Sequence, residues 1–342
     1  MTGIAIIGAG AIGSALGALL SSAGHEVTLI ARSAQVEAIR REGLRVDGAL
    51  GSFVVRPAAA EALDFCPDLA FLTVKTQDVL AALRANLAVL GGAPLVTFQN
   101  GVRSDELAAT LLAPQQLVSA VVNIHANYLV PGTVTVLYPG PLVIGRPFGP
   151  NDAQTQAIAA LLRDAVPTTL SHNIRGVHWL KLIVNLNNAF PALSNATVHR
   201  IYADSALRLL AVKVMLEGLR VARGAGIRLE SLPDTPLALL RLIEWSPLRL
   251  AALVAAAKAR CLESRWPLLG STLQSLQRKR PTEIDYLNGE VVRLGRESGV
   301  ATPLNAAMVE MVREVERSGQ FWAPDTLAAE IVARTGGARP AA

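Results

Sequence analysis

The chain has 342 residues, 51% of them hydrophobic and only 17% charged, which is enough apolar sequence to bury a large core and, at this length, to build two domains of a compact soluble protein. The net charge of +5 raises the question of nucleic acid, but Lys and Arg are scattered, aromatic residues make up 4%, and no recognition motif accompanies them; an anionic small ligand accounts for the charge equally well. Two cysteines, Cys66 and Cys261, are too few for a disulfide framework and lack metal-ligand spacing, so they read as reduced thiols of a cytoplasmic protein with no metal site.

The first charged residue after the N-terminus is Glu26, and residues 3–24 are apolar enough to suggest a signal peptide or a membrane span. Gly8, Gly10, Gly13 and Gly17 interrupt the run and no basic segment precedes it, so neither is expected. The sequon Asn195-Ala196-Thr197 is discounted for the same reason. The small-residue tail Gly336–Ala342 reads as frayed.

Ile4–Ile7 reads as a short strand, Gly8-Ala9-Gly10-Ala11-Ile12-Gly13 follows at once, and Ile12, Ala15, Leu16, Leu19, Leu20 and Ala23 then recur at helical spacing. Strand, glycine turn and helix in this order form a dinucleotide-binding unit. The first glycine permits a tight turn, the second lets backbone approach a pyrophosphate, and the third lets helix pack on strand, while the N–H groups at Ala11 and Ile12 face the phosphates. Glu26–Ala31 supplies the second strand. Where NAD would require an acid at its end, the chain places Arg32, a guanidinium suited to a 2′-phosphate, so NADPH is preferred. An ordinary solvated arginine is the alternative there.

Two further strands, Leu69–Val74 and Pro94–Phe98, run into Lys75-Thr76-Gln77 and Gln99-Asn100-Gly101. Ligands of doubly wound sheets sit beyond the carboxyl ends of the strands, which puts Lys75 and Asn100 toward the nicotinamide or the substrate. A plain turn at Asn100-Gly101 and a helix-flanking charge at Lys75 explain either residue alone; their matching positions favour function. Leu117–Ile124 and Thr133–Ile144 are β-like around Pro131-Gly132, Asp152–Ala165 is helical, and Thr168–Leu170 is a last short strand. The dinucleotide domain thus spans residues 1–172, and a helical domain spans 173–335.

The helical domain opens with His178–Asn188, apolar on nearly every side except for Lys181, Asn185 and Asn188 at i, i+4 and i+7. A lysine in such a stripe either snorkels at a helix edge or, held out of water with a shifted pKa, serves proton transfer. Helices are expected at 204–223, 237–243, 248–262, 270–278, 283–298 and 304–317, punctuated by prolines. Thr282 is placed to cap the 283–298 helix with Asp285 reaching back, which gives Glu283 a bland role as a first-turn acid unless Lys181 lies near it. An α/β domain followed by an all-α domain implies a cleft with the cofactor on one side and the Lys181 helix on the other.

Gly8-x-Gly10-x-x-Gly13, Lys75, Gln99-Asn100-Gly101, Trp179-x-Lys181-Leu-x-x-Asn185 and Arg280-Pro-Thr-Glu-Ile-Asp-Tyr-Leu-Asn288-Gly, followed by Gly295-Arg296 and Thr302-Pro303, together resemble the ketopantoate reductase family over essentially the full length. The resemblance implies a Rossmann domain followed by a helical domain of the 6-phosphogluconate dehydrogenase C-terminal type. It implies a pantothenate-biosynthesis oxidoreductase in which NADPH reduces a small-molecule 2-oxo acid, with no nucleic-acid or membrane partner. It also implies Lys181 as general acid, Glu283 as its partner, Asn100 near the nicotinamide, Arg32 on the 2′-phosphate, and Asn185 and Ser271 on the substrate.

The departures from the family pattern fall where the substrate belongs. Ala189 stands where the family usually has a second asparagine, with Asn188 one place earlier as its substitute, and Ser275 stands where an aspartate is usual. The leucine-rich stretch Leu229–Leu269 offers either a cover for the cleft or a contact for a homodimer. The expected activity is therefore reduction of a ketopantoate-like acid. The alternatives are another 2-oxo acid on the same fold, or an NADPH-binding sensor without catalysis.

Overall fold

The computed structural model describes residues 3–263 and 269–336, with backbone only at 261–263. The Cys261 side chain, part of the Leu229–Leu269 stretch and the tail from residue 337 lie outside the described residues. By its internal contacts the chain divides into two units, Met1–His178 and Trp179–Ala342.

The first unit runs β1 Gly3–Ile7, α1 Ala11–Ser22, β2 Glu26–Ile30, α2 Ser33–Glu42, β3 Leu44–Gly48, β4 Phe53–Val55, β5 Ala58–Ala60, β6 Leu69–Leu72, α3 Val79–Leu90, β7 Leu95–Thr97, α4 Ser104–Ala109, β8 Leu117–Asn127, β9 Thr133–Gly145, α5 Ala153–Arg163 and β10 Thr168–Leu170. The strands form one sheet in the order β4-β3-β9-β8-β7-β6-β1-β2-β5, with β10 beside β9. From β5 to β8 every neighbouring pair is parallel, and β8 and β9 form an antiparallel hairpin. Both faces of the parallel strands are buried, which explains their unbroken apolar runs. Ile4, Ile6, Leu29 and Phe71 enter one apolar cluster, while Ala5, Ile7, Ala70 and Leu72 enter another on the opposite face. β6 stops at Leu72, two residues before its expected end. Thr73 keeps one backbone bond to β1, its N–H donating to the Ile7 carbonyl at 2.9 Å, while its hydroxyl donates to the Gly8 carbonyl at 2.7 Å and ties the strand end to the glycine turn.

The second unit is helical. Its elements are α6 Ile174–Asn185, which begins in the first unit, then α7 Ala189–Ser194, α8 Val198–Ala203, α9 Ser205–Gly224, α10 Leu237–Trp245, α11 Leu248–Glu263, α12 Ser271–Gln277, α13 Asn288–Ser298, α14 Pro303–Ser318 and α15 Pro324–Arg334. An α/β unit followed by an all-α unit is the architecture expected from the sequence. Among the described residues no helix is long and apolar enough to cross a membrane.

Two helices differ from expectation in ways that shape the site. The helix expected over 178–188 starts at Ile174, because the Asn173 side chain accepts from the Gly176 N–H at 3.2 Å and begins it early. It ends at Asn185, and Leu186–Asn188 form a 3-10 turn before α7. Pro191 supplies the cause: it has no N–H for the Asn187 carbonyl four residues back, and its ring crowds that carbonyl. The helix expected over 283–298 is also broken, into a 3-10 turn at Ile284–Tyr286 and α13, with Leu287 between them at φ −107°, ψ −98°. The anticipated capping box does not form. Thr282 Oγ1 accepts from the Ile284 N–H at 3.3 Å, and Asp285 pairs with Arg313 at 2.7 Å instead of reaching back.

Candidate active site

The glycine turn is shaped by three different constraints. Gly8 has φ +108°, and a Cβ there would lie 2.7 Å from the Val74 side chain. Its N–H donates to the Ile30 carbonyl at 3.0 Å, tying the end of β1 to β2. At Gly13 a Cβ would come within 2.3 Å of the Gly8 carbonyl oxygen, so α1 packs on the turn only because that position has no side chain. At Gly10 nothing lies within 4 Å of the Cβ position, leaving open space in front of the helix. α1 starts with Ala11 and Ile12, has no side-chain cap and carries no acid in its first turn. Unfilled N–H groups beside open space at a positive helix end fit a pyrophosphate. Arg32 follows β2 as the residue before α2 and is exposed, where a 2′-phosphate beside β2 would meet it.

The ends of β6 and β7 complete this half. The two strands are parallel neighbours, with Leu72 paired to Thr97. Lys75 precedes a 3-10 turn at Thr76–Asp78, and Thr76 Oγ1 donates to the Asn100 carbonyl at 3.0 Å, so the structure brings the loops carrying Lys75 and Asn100 together. A residue outside the expected set reinforces the link. The Gln99 amide donates to the carbonyls of Leu72 at 2.8 Å and Val74 at 3.0 Å. The clue lay in the Gln99-Asn100-Gly101 run, where the buried Gln99 amide serves the backbone of the neighbouring strand end.

In the second unit Lys181 stands on α6 one turn before Asn185, the last residue of that helix. Burial pushes its pKa down from 10.5 to about 8, although the side chain keeps part of its surface. Among the described residues no hydrogen bond or ion pair reaches it, so no ion pair joins it to Glu283. Glu283 is half-buried at the head of the 3-10 turn Ile284–Tyr286.

Asn188 closes the 3-10 turn after α6, and its amide lies directly over Gly270, where a Cβ would be 3.0 Å from Asn188 Oδ1. Ser271, the first residue of α12, is next to that contact, so Asn188 and Ser271 come together. The start of α13 reaches the same turn, since the fully buried Asn288 donates to the Leu186 carbonyl at 3.2 Å and to Asn305 Oδ1 at 3.0 Å. Asn305 is in turn held by the buried Glu217, whose carboxylate accepts from the N–H groups of Leu304 and Asn305 and caps α14. Asn288 stands in the Arg280–Gly289 motif but was given no role there, and Glu217 was not singled out at all, because the partners of both lie far away in the chain.

A glycine turn heading a doubly wound sheet, followed by a helical unit with a desolvated lysine and a row of amides, defines a nicotinamide-dependent oxidoreductase. Comparison with known proteins gives the family. The profile described as Ketopantoate reductase PanE/ApbA matches residues 4–148, and Ketopantoate reductase PanE/ApbA C terminal matches residues 173–316. The chain is 29% identical to the 2-dehydropantoate 2-reductase of Pyrococcus horikoshii, with 92% of this chain and 98% of that protein aligned. The crystal structure of a PanE/ApbA family ketopantoate reductase from Ralstonia eutropha JMP134 has a TM-score of 0.77 at 32% identity, covering 92% of this chain and 98% of that one. A D-mandelate dehydrogenase solved with NADH and anilino(oxo)acetate has a TM-score of 0.78 at 22% identity, with 92% and 98% covered, and shares the fold. The chain belongs to the ketopantoate reductase family, and it is an NADP-dependent oxidoreductase of the CH-OH group.

Proposed function

We propose that this reductase converts ketopantoate to the 2-hydroxy acid with NADPH, using Lys181 as the general acid. The observation that carries the reading is the state of Lys181: an ammonium without a partner among the described residues, desolvated until its pKa is about 8. Such a group gives up a proton readily near neutral pH and can hydrogen-bond a developing alkoxide. Bound NADPH supplies the hydride that reduces the carbonyl carbon. Gly8, Gly10, Gly13 and the N–H groups of Ala11 and Ile12 hold its pyrophosphate, Arg32 its 2′-phosphate, and Lys75 and Asn100 orient its nicotinamide end. Asn185, Asn188 and Ser271 hold the substrate, and Glu283 orients Lys181 within the reacting complex without a standing ion pair.

The test is steady-state NADPH oxidation with ketopantoate. Lys181→Ala is expected to lower kcat by about 10²–10⁴-fold with NADPH binding retained; near-normal turnover refutes the assignment.

A second reading, in which the preferred substrate is a different 2-oxo acid, is favoured by two positions. Ala189 is 1% exposed and has no polar group to offer. Ser275 turns its hydroxyl back onto its own helix, donating to the Ser271 carbonyl at 3.0 Å. A panel of 2-oxo acids scored by kcat/KM decides between the two readings.

A further inference from the structure

A buried polar chain joins the sheet of the first unit to α6. Thr97 ends β7, Ser119 pairs with it in β8, and Asp105 lies in the first turn of α4. Thr97 and Ser119 have no exposed surface, and Asp105 and His178 have less than a tenth. The Asp105 carboxylate receives two hydroxyls: Thr97 Oγ1 donates to Oδ1 at 2.5 Å and Ser119 Oγ donates to Oδ2 at 2.7 Å.

This arrangement fixes a direction. A hydroxyl has one proton to give, and Ser119 gives its proton to Asp105. Its oxygen is then only an acceptor toward His178 Nε2, 2.7 Å away, so that ring nitrogen carries the hydrogen. The reverse order would set a carboxylate oxygen against a serine lone pair out of water, where an unmatched contact is most unfavourable. His178 Nε2–H therefore donates to Ser119, and Ser119 donates to Asp105.

His178 is three residues before Lys181 on α6. On an α-helix that spacing separates two side chains by roughly 60° around the axis and about 4.5 Å along it. We infer that the Asp105–Ser119–His178 chain is a positioning device for Lys181, holding α6 at one rotation about its own axis and so setting the direction in which the ammonium leaves the helix. The inference rests on the reading of Lys181 as general acid. Packing alone gives no reason for a carboxylate, a hydroxyl and an imidazole here, since apolar groups of the same size fill buried space without any desolvation penalty. What the polar chain adds is directionality: a hydrogen bond is lost on a small rotation that van der Waals contacts tolerate.

Ser119→Ala, His178→Leu and His178→Gln are to be measured beside Lys181→Ala, with NADPH binding used to count folded enzyme. Ser119→Ala removes one oxygen and is the variant that carries the test if His178→Leu does not fold. Both are expected to lower kcat about ten- to a hundredfold, the scale of a misplaced reacting group, with the KM for NADPH unchanged. His178→Gln, whose amide N–H reaches toward the same acceptor, is expected to recover most of the loss. If all three variants merely melt earlier and keep wild-type kcat per folded molecule while Lys181→Ala is inactive, the inference is overturned and the general-acid reading survives. If NADPH affinity falls in step with kcat, the chain supports the nucleotide side instead and the inference is likewise overturned. Wild-type turnover in Lys181→Ala removes the reading and the inference together.

Discussion

The two units of this reductase prepare for charge in opposite ways. The first presents backbone: N–H groups at the start of α1, in front of a Gly10 with nothing within 4 Å of its Cβ position. The second presents side chains, foremost a lysine whose pKa burial has moved to about 8. A backbone site is indifferent to most side chains nearby but intolerant of a Cβ where the chain folds tightly on itself. A side-chain site is indifferent to many glycines but depends on what holds its helix in place. Substitutions in the two units should therefore fail in different ways.

Lys181 gives the largest contrast, because activity and stability should move in opposite directions. Lys181→Met is expected to lower kcat by about 10³-fold, within the range for loss of a general acid, while raising Tm. The folded pKa of about 8 lies below the unfolded value of 10.5, so folding disfavours the charged form. That penalty is fully present below about pH 8 and is relieved between there and pH 10.5, as the folded lysine loses its proton first. At about 1.4 kcal/mol per pH unit the penalty has a ceiling of about 3.5 kcal/mol, and the partial exposure of the side chain brings it to about 1–2 kcal/mol. In the wild type, kcat should fall as pH rises through about 8, because the acid must hold a proton to donate it. A flat kcat profile from pH 7 to 9, or a lower Tm for the Met variant at pH 7, would break the contrast.

The same division explains how far each unit could be read from sequence. The glycine turn was legible because its signal is local: a strand, three glycines and a helix occupy residues 3–22 without a gap. The short strands at the two ends of the sheet, β4 and β3 at one and β5 at the other, were not, since at three to five residues with mixed composition they become strands only by pairing, β3 with β9, β4 with β3 and β5 with β2. In the helical unit, periodicity located α9 and α14 to within a residue or two but ran straight through Leu186–Asn188 and Leu287. Pro191 was visible, yet its effect falls four residues upstream, inside what reads as one continuous helix. At Leu287 the cause is tertiary: Asn288 turns inward to meet Leu186 and Asn305, and no window of sequence contains all three.

Gly13 and Asn288 test the two modes at comparable scale. In Gly13→Ala the new methyl would meet the Gly8 carbonyl at 2.3 Å, so α1 must retreat from the turn. NADPH affinity is expected to fall about a hundredfold, with about 1–3 kcal/mol of stability lost to overpacking. Gly10→Ala, which meets nothing, should fold as the wild type does and only weaken binding. Equal melting temperatures for the two alanine variants would contradict the account of the turn. Asn288→Ala leaves the Leu186 carbonyl and Asn305 Oδ1 without their shared donor, for about 2–4 kcal/mol of destabilisation. By loosening the turn that carries Asn188, it should raise the KM for the oxo acid about tenfold while leaving the KM for NADPH unchanged.

The smallest effect is expected at Arg32, and it separates the two modes within a single ligand. On the proposed reading the pyrophosphate would rest on backbone, which does not distinguish NADPH from NADH, so the choice between them would fall to a side chain beyond β2. Arg32 is exposed, and among the described residues no ion pair engages it. A contact between it and a 2′-phosphate would therefore be made in water, where a charge-assisted contact is worth about 1–2 kcal/mol. Arg32→Ala should thus reduce the preference for NADPH over NADH by about tenfold, chiefly through a higher KM for NADPH. The kcat with either cofactor should stay within about twofold, because the reacting end is held elsewhere. The same difference should shrink with added salt, since an exposed ion pair is screened within about 10 Å at 0.1 M. An unchanged NADPH/NADH ratio at low salt would mean that the 2′-phosphate is read by backbone after all, and the two units would then differ less than their geometry indicates.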